Sequence, residues 1–131
     1  MMALLLFAAP ARAQNISCSA VSMTNVTFAS VNPLSSLTTA NATLSYKCSN
    51  SVGSTQSATL CFSIGEPGGG PTNPRQMKDS AGDILQFQLF QNANFSTVWG
   101  SSFFGSNTPL MVNITLTSKA TTSGSATMYG Q

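Results

Sequence analysis

The stretch NPRQMKDSAGDILQFQLFQNANFSTVWG, residues 73–100, contains the clearest strand signal in the chain. Leu85, Phe87 and Leu89 alternate with glutamines, which places three large apolar side chains on one face of an extended segment and amides on the other. The alternation predicts one half-buried β-strand. A polar turn is expected before it, with these turn and charged residues: Pro74, Arg75, Lys78, Asp79, Gly82 and Asp83. No catalytic group is apparent in the stretch.

The same alternation of apolar and polar residues recurs on both sides of this stretch. Two brief edge strands are expected around residues 16–20 and 26–28, and stronger ones over residues 42–48, 58–64 and 110–116. A turn is expected over residues 119–124, followed by a last strand that begins near Ala126. About seven short β segments, with no helical periodicity, predict an all-β fold, an immunoglobulin-like Greek-key β-sandwich. No closing strand follows Tyr129 and Gly130, so we expect a sandwich that is incomplete at its C-terminal side.

Two loops have alternative interpretations. The Gly- and Pro-rich residues 65–74 are typical of a surface loop; a phosphate cradle is disfavoured because the Gly-Lys-Ser/Thr pattern and a following helix are absent. The loop over residues 101–106 contains Phe103 and Phe104 side by side. One ring packing into the core is the simpler interpretation, and an exposed hydrophobic contact loop is the functional one.

The first 13 residues, MMALLLFAAPARA, have the pattern of a secretory signal peptide, with an apolar run and an Ala-Arg-Ala cleavage site. No basic residue precedes Arg12, so we expect the start of the signal to be missing. The apolar run is too short to cross a hydrocarbon core of ~30 Å, so we expect export and no membrane span in the mature chain. Residues 14–131 then form one domain.

Composition argues against several functional classes. The chain has no histidine, and charged residues make up 6% of it, with a formal net charge of +2. Without histidine neither a serine triad nor a conventional zinc site can be assembled, and no basic stripe is available for nucleic acid. Glu66, Asp79 and Asp83 are interpreted as solvated turn charges rather than paired catalytic carboxylates. We therefore expect no enzyme activity, no cofactor and no metal site.

Several short motifs occur in an order that resembles the spore coat protein U family. They are Cys18, Phe28, SYKC at 45–48, FSIG at 62–65, Pro74-Arg75 with Met77, the strand at 85–90 and Trp99-Gly100. Members of this family look like subunits of archaic, Csu-type chaperone–usher pili. The resemblance implies a structural subunit of a bacterial pilus or coat that is assembled by donor-strand exchange, in which an unfinished sheet accepts a strand from a neighbour. It also implies a periplasmic chaperone, an outer-membrane usher and neighbouring subunits as partners, and passage through the periplasm to the cell surface or fimbrium.

The chain departs from the family pattern at both ends. Family members continue beyond a Tyr-Gly pair like Tyr129-Gly130, so residues 14–131 are expected to be a C-terminally truncated copy. Only four residues separate the predicted cleavage site from Cys18, which is too few for an apolar donor extension. Two interpretations fit this better than a shaft subunit: a mis-called start of the chain, or a tip-like first domain with an adhesive role in biofilm formation. The alternative is a stand-alone secreted β-sandwich module that binds through Phe103 and Phe104.

The three cysteines allow three single disulfides in an oxidising compartment. Cys48 shares a face with Leu44 and Tyr46, whereas Cys61 lies on the face opposite Leu60 and Phe62, so the two sulfurs point apart if both apolar faces pack inward. Strand parity and the family resemblance together favour a Cys18–Cys48 disulfide, with Cys61 left unpaired or awaiting a partner.

Overall fold

The computed structural model describes residues 15–30, 32, 34, 37–65, 74–78, 80–101 and 108–131. The regular elements in these residues are all strands: β1 (Ile16–Met23), β2 (Ala40–Asn50), β3 (Gln56–Phe62), β4 (Arg75–Lys78), β5 (Ile84–Phe87), β6 (Leu89–Phe90), β7 (Leu110–Leu116) and β8 (Thr121–Gly130). No helix in the described ranges is long and apolar enough to cross a membrane. The predicted signal peptide, residues 1–13, lies outside these ranges.

The larger sheet has four antiparallel strands in the order β1-β2-β8-β6. Its centre is the long β2–β8 pair, which runs in register from Ala40 opposite Gly130 to Ser49 opposite Thr121. In β2, buried and exposed residues alternate, as the sequence predicts, because every second side chain points into the interior. The register of β1 on β2 shifts between Ser19 and Ser22, which is a β-bulge.

Two smaller sheets have two antiparallel strands each, β4–β5 and β3–β7. The β3–β7 sheet runs from Gln56 opposite Leu116 to Phe62 opposite Leu110. Its apolar face packs on the larger sheet, where the Tyr46 and Phe62 rings lie 5.2 Å apart. A second apolar cluster surrounds Trp99, which is completely buried. Two sheets with a shared apolar interior form a sandwich, so the all-β prediction is confirmed.

The prediction of one continuous half-buried strand through Leu85, Phe87 and Leu89 is wrong. The chain pairs with β4 up to Phe87 and then with the end of β8, because Gln88 exchanges backbone hydrogen bonds with Gln131. The change of partner divides the segment into β5 and β6. Leu85 on β5 is therefore 38% exposed, whereas Leu89 on β6 is 6% exposed.

Two further boundaries differ from expectation. Residues 24–30 form no strand; Val26 packs against the Trp99 cluster, and the Phe28 ring meets the Phe87 ring edge-on at 6.0 Å. The last strand begins at Thr121 rather than near Ala126, since the turn after β7 is complete by Ala120. The polar turn predicted over residues 74–83 is only partly present: Arg75 and Lys78 belong to β4, and turn residues follow at 80 and 81. Gly82 has a φ of 93°, a conformation that favours glycine.

Candidate functional site

A groove runs between an edge of the four-stranded sheet and an edge of the β3–β7 sheet. In the described part of the chain, β1 pairs only with β2 and β3 pairs only with β7, so each strand keeps one edge without a partner strand. A cavity of about 290 Å³ lies between these edges. It is lined by Ile16, Cys18, Ala58, Thr59, Leu60, Cys61 and Phe62. We call this space the β1–β3 groove.

The apolar side chains beside the groove are only half-buried. Leu60 and Phe62 on β3, and Val112 and Ile114 on β7, all face the interior but keep part of their surface exposed. In the larger sheet the equivalent positions, such as Leu44 and Tyr46, are buried. The inward side chains of the two-stranded β3–β7 sheet are therefore only partly covered by the rest of the chain. The exposed edge of β3 beside them is a template for another strand.

The disulfide predicted from strand parity fixes one wall of the groove. Cys18 and Cys48 are directly opposite each other in the β1–β2 ladder and are bonded, with an S–S distance of 2.07 Å. Cys61 is a free, exposed cysteine on β3, as expected. The disulfide therefore ties β1 to β2 of the larger sheet, and part of β1 lies within 8 Å of β3.

One end of β3 is braced by Arg75 and Trp99. The Trp99 Nε1 donates to the Phe62 carbonyl at 2.6 Å, and Arg75 Nη2 donates to the Trp99 and Ile64 carbonyls at 2.7 and 3.1 Å. Arg75 also donates to the side chain of Gln88. The sequence interpretation of Arg75 as part of a polar turn is wrong: it belongs to β4, and only 1% of its surface is exposed. Its aliphatic stem and planar head suit a buried site rich in carbonyl acceptors.

The other end of β3 is held by Asn50, which is 3% exposed. Its Nδ2 donates to the carbonyls of Ser54 and Thr117 at 2.7 and 2.9 Å and shares a hydrogen with the Leu116 carbonyl at 3.3 Å, and its Oδ1 accepts from the Val52 amide. One side chain thus joins the end of β2, the loop before β3 and the end of β7. Side-chain hydrogen bonds therefore hold the chain next to both ends of β3.

The chemistry of the groove is that of a binding surface. None of the residues that line it is charged, and the described ranges contain no group of three side chains suited to a metal ion. Asp83 is exposed in the β4–β5 hairpin, away from the groove lining. Glu66, Asp79, Phe103 and Phe104 lie outside the described residues, so the contact-loop interpretation stays a prediction. The groove offers backbone hydrogen-bonding groups beside apolar side chains, which suits an extended peptide.

Comparison with known families matches residues 4–131 to the spore coat protein U domain. The chain belongs to the spore coat protein U family. No curated protein and no solved structure matches it. Membership in the spore coat protein U family is consistent with a structural subunit of a pilus or coat and with a surface-exported protein rather than an enzyme.

Proposed function

We propose that this spore coat protein U domain is a subunit of a bacterial surface pilus or coat that is assembled by donor-strand exchange, with the β1–β3 groove as the acceptor site. An extended segment of a neighbouring subunit lies in the groove and pairs with the free edge of β3. Its inward side chains cover the half-buried residues of β3 and β7. The observation that supports this proposal is the combination of a free strand edge and an uncovered apolar face at the same place.

The geometry suits a strand better than a compact ligand. β3 has seven residues, so the edge is about 24 Å long at ~3.4 Å per residue. Apolar side chains on β3 alternate with outward ones, so a donor with apolar residues at every second position matches its register. Backbone hydrogen bonds supply affinity along the edge, and the alternate side chains fix the position of the donor.

The same exposed edge explains the proposed partners. A free strand edge beside apolar surface promotes aggregation, so a subunit in transit through the periplasm needs a temporary donor. A periplasmic chaperone supplies that strand in the proposal, and an outer-membrane usher exchanges it for a neighbouring subunit. The final location is then the cell surface or fimbrium.

An adhesive, tip-like role in biofilm formation is the finer part of the proposal. The β4–β5 hairpin carries Met77, Ile84 and Leu85, which are 39%, 53% and 38% exposed, around an open cavity of about 320 Å³. Exposed apolar side chains that lie together tend to mark contact surfaces. This hairpin gives the described part of the chain an apolar surface separate from the groove.

A thermal unfolding experiment with donor peptides tests the acceptor role. A peptide of about nine residues with alternating apolar side chains spans the edge of β3. At a concentration of 100 times its Kd it stabilises the folded state by about 2.7 kcal/mol, which raises Tm by roughly 10 °C for a domain of this size. A peptide with the same composition but without the alternation is the control and should leave Tm unchanged.

Two matched substitutions on β3 test whether the donor peptide raises Tm by binding at this strand. Leu60→Asp, on the inward face, should abolish the response to the donor, whereas Ser57→Asp, on the exposed outward face of the same strand, should preserve it. Emission from Trp99, the single tryptophan, verifies that each variant is folded, and Leu60→Ala replaces Leu60→Asp if the charge prevents folding. A monomer that unfolds cooperatively and responds to no donor would contradict strand exchange and support the stand-alone binding module.

A further inference from the structure

The outward face of the larger sheet is an almost unbroken array of hydroxyl groups. Along β2 and β8, three pairs of opposite residues consist of serine or threonine: Thr43 with Thr127, Ser45 with Ser125, and Ser49 with Thr121. A fourth pair joins Lys47 to Ser123, and β1 places a serine opposite residues 45, 47 and 49 of β2. We call this surface the hydroxyl face. It lies on the side of the sheet opposite the apolar interior and the β1–β3 groove.

A depression lies in the middle of the hydroxyl face. It is open, encloses about 480 Å³, and its lining includes Ser45, Lys47, Ser123 and Ser125. Ala20 of the β1 bulge forms one side, with a φ of 52° that an alanine rarely adopts. Bulges occur often at sheet edges and beside binding sites, where they alter the surface locally. The bulge and the small residues around it leave room for a ligand.

Three aromatic rings continue the same face at one end. Phe90 and Tyr129 lie opposite each other on β6 and β8, and the Phe95 ring meets both edge-on at centroid distances of 5.5 and 6.5 Å. All three rings are partly exposed. Phe95 has a φ of 53°, and its loop is held by the Asn92 side chain, whose Oδ1 accepts from the Ser96 and Thr97 amides. A bulky residue rarely adopts this conformation.

The charge on the hydroxyl face has one sign. β1, β2 and β8 contain no acidic residue, and their single charged side chain is Lys47, which is exposed and forms no hydrogen bond or ion pair with any described residue. A ligand on this face therefore meets neutral hydroxyl groups, aromatic rings at one end and one positive charge at the depression. Ser and Thr hydroxyls both donate and accept hydrogen bonds, so they suit a ligand that is itself rich in hydroxyl groups.

We propose that the hydroxyl face binds an acidic polysaccharide. From Ser123 to Tyr129 the face extends about 20 Å along β8, at ~3.4 Å per residue, which is the length of several linked sugar rings. The sugar hydroxyls bond the Ser and Thr side chains, the apolar side of one ring packs on Tyr129, and a carboxylate lies beside Lys47. The binding is independent of strand exchange, because the hydroxyl face and the groove are on opposite sides of the sheet.

An NMR titration of the exported protein with a hexamer of galacturonic acid, an acidic oligosaccharide, tests the proposal. Backbone amide shifts should change along the hydroxyl face, in β2, β8 and residues 91–97, and should leave β3 and β7 unchanged. Lys47→Gln should weaken binding about threefold, as expected for an exposed ion pair. Tyr129→Ala should weaken it about fivefold through the loss of ring packing.

Lys78→Gln is the matched control, since it removes one exposed positive charge from β4, outside the hydroxyl face, and should leave the Kd unchanged. The neutral sugar cellohexaose should bind more weakly than the acidic hexamer. Four results would overturn the proposal: no binding, equal affinity for the two sugars, equal weakening by both lysine variants, or shift changes on the groove side. Line broadening on the hydroxyl face that grows with protein concentration alone would instead assign it to contact between copies of this chain.

Discussion

Replacing Gly124 by alanine tests how tightly the interior is packed around Tyr46. Gly124 lies opposite Tyr46 in the β2–β8 pair, and a methyl group there would stand 2.2 Å from the Tyr46 Oη and 2.3 Å from its Cζ. Carbon atoms in good contact are separated by about 3.5–4.0 Å, so the ring would have to retreat by more than about 1 Å. Tyr46 is 8% exposed and packs against the Phe62 ring, which leaves it little room to move.

The expected cost of Gly124→Ala is about 3 kcal/mol, the upper part of the range for an overpacked interior, with a fall in Tm of roughly 10 °C. Urea unfolding followed by the emission of buried Trp99 measures it. Gly53→Ala is the control, because its added methyl would meet only Ser118 Oγ, at 4.0 Å, and should change stability by less than about 0.5 kcal/mol. Combining Gly124→Ala with Tyr46→Leu should recover about 2 kcal/mol of the loss. A Gly124→Ala variant as stable as the parent would refute this account of the packing.

Three further tests examine other parts of the fold by the same unfolding measurement. Replacing Cys18 and Cys48 by alanine opens a loop with a sequence separation of 30 and should cost about 3–4 kcal/mol, whereas Cys61→Ala should have little effect. Ala20→Gly should raise stability by about 0.5–1 kcal/mol, since glycine adopts the positive φ of the bulge without strain; a destabilised variant would argue against that φ. Asn50→Ala should cost about 3 kcal/mol, because it removes the hydrogen bonds that this buried side chain makes with three carbonyls and one amide, and a loss below about 1 kcal/mol would contradict this role.

The strands that alternate strictly were predictable from sequence. β2, β3 and β7 each have apolar residues at every second position, and the structure places those residues on the interior side. The Cys18–Cys48 bond followed from the same rule, together with the family resemblance, because parity fixes the side on which a sulfur lies. These features are local, so a single stretch of sequence is enough to reveal them.

The features that sequence reasoning missed depend on distant partners. The split between β5 and β6 arises because neighbouring residues pair with different strands, β4 and β8, and alternation alone contains no information on the partner. The burial of Arg75 depends on carbonyls of Ile64 and Trp99, which are 11 and 24 residues away. A charged residue after Pro74 has the local appearance of a turn, so composition gave the wrong interpretation.

Hydrogen exchange with and without a donor peptide tests the central claim most directly, because it shows where a donor strand pairs. Amides of β3 that point away from β7 have no partner strand in the described chain and should exchange rapidly in the free protein. We predict that a donor with alternating apolar residues slows exchange along β3 and at the facing edge of β1, and leaves the β4–β5 hairpin unchanged. Protection confined to that hairpin, or β3 amides that are already fully protected without a donor, would contradict the acceptor groove.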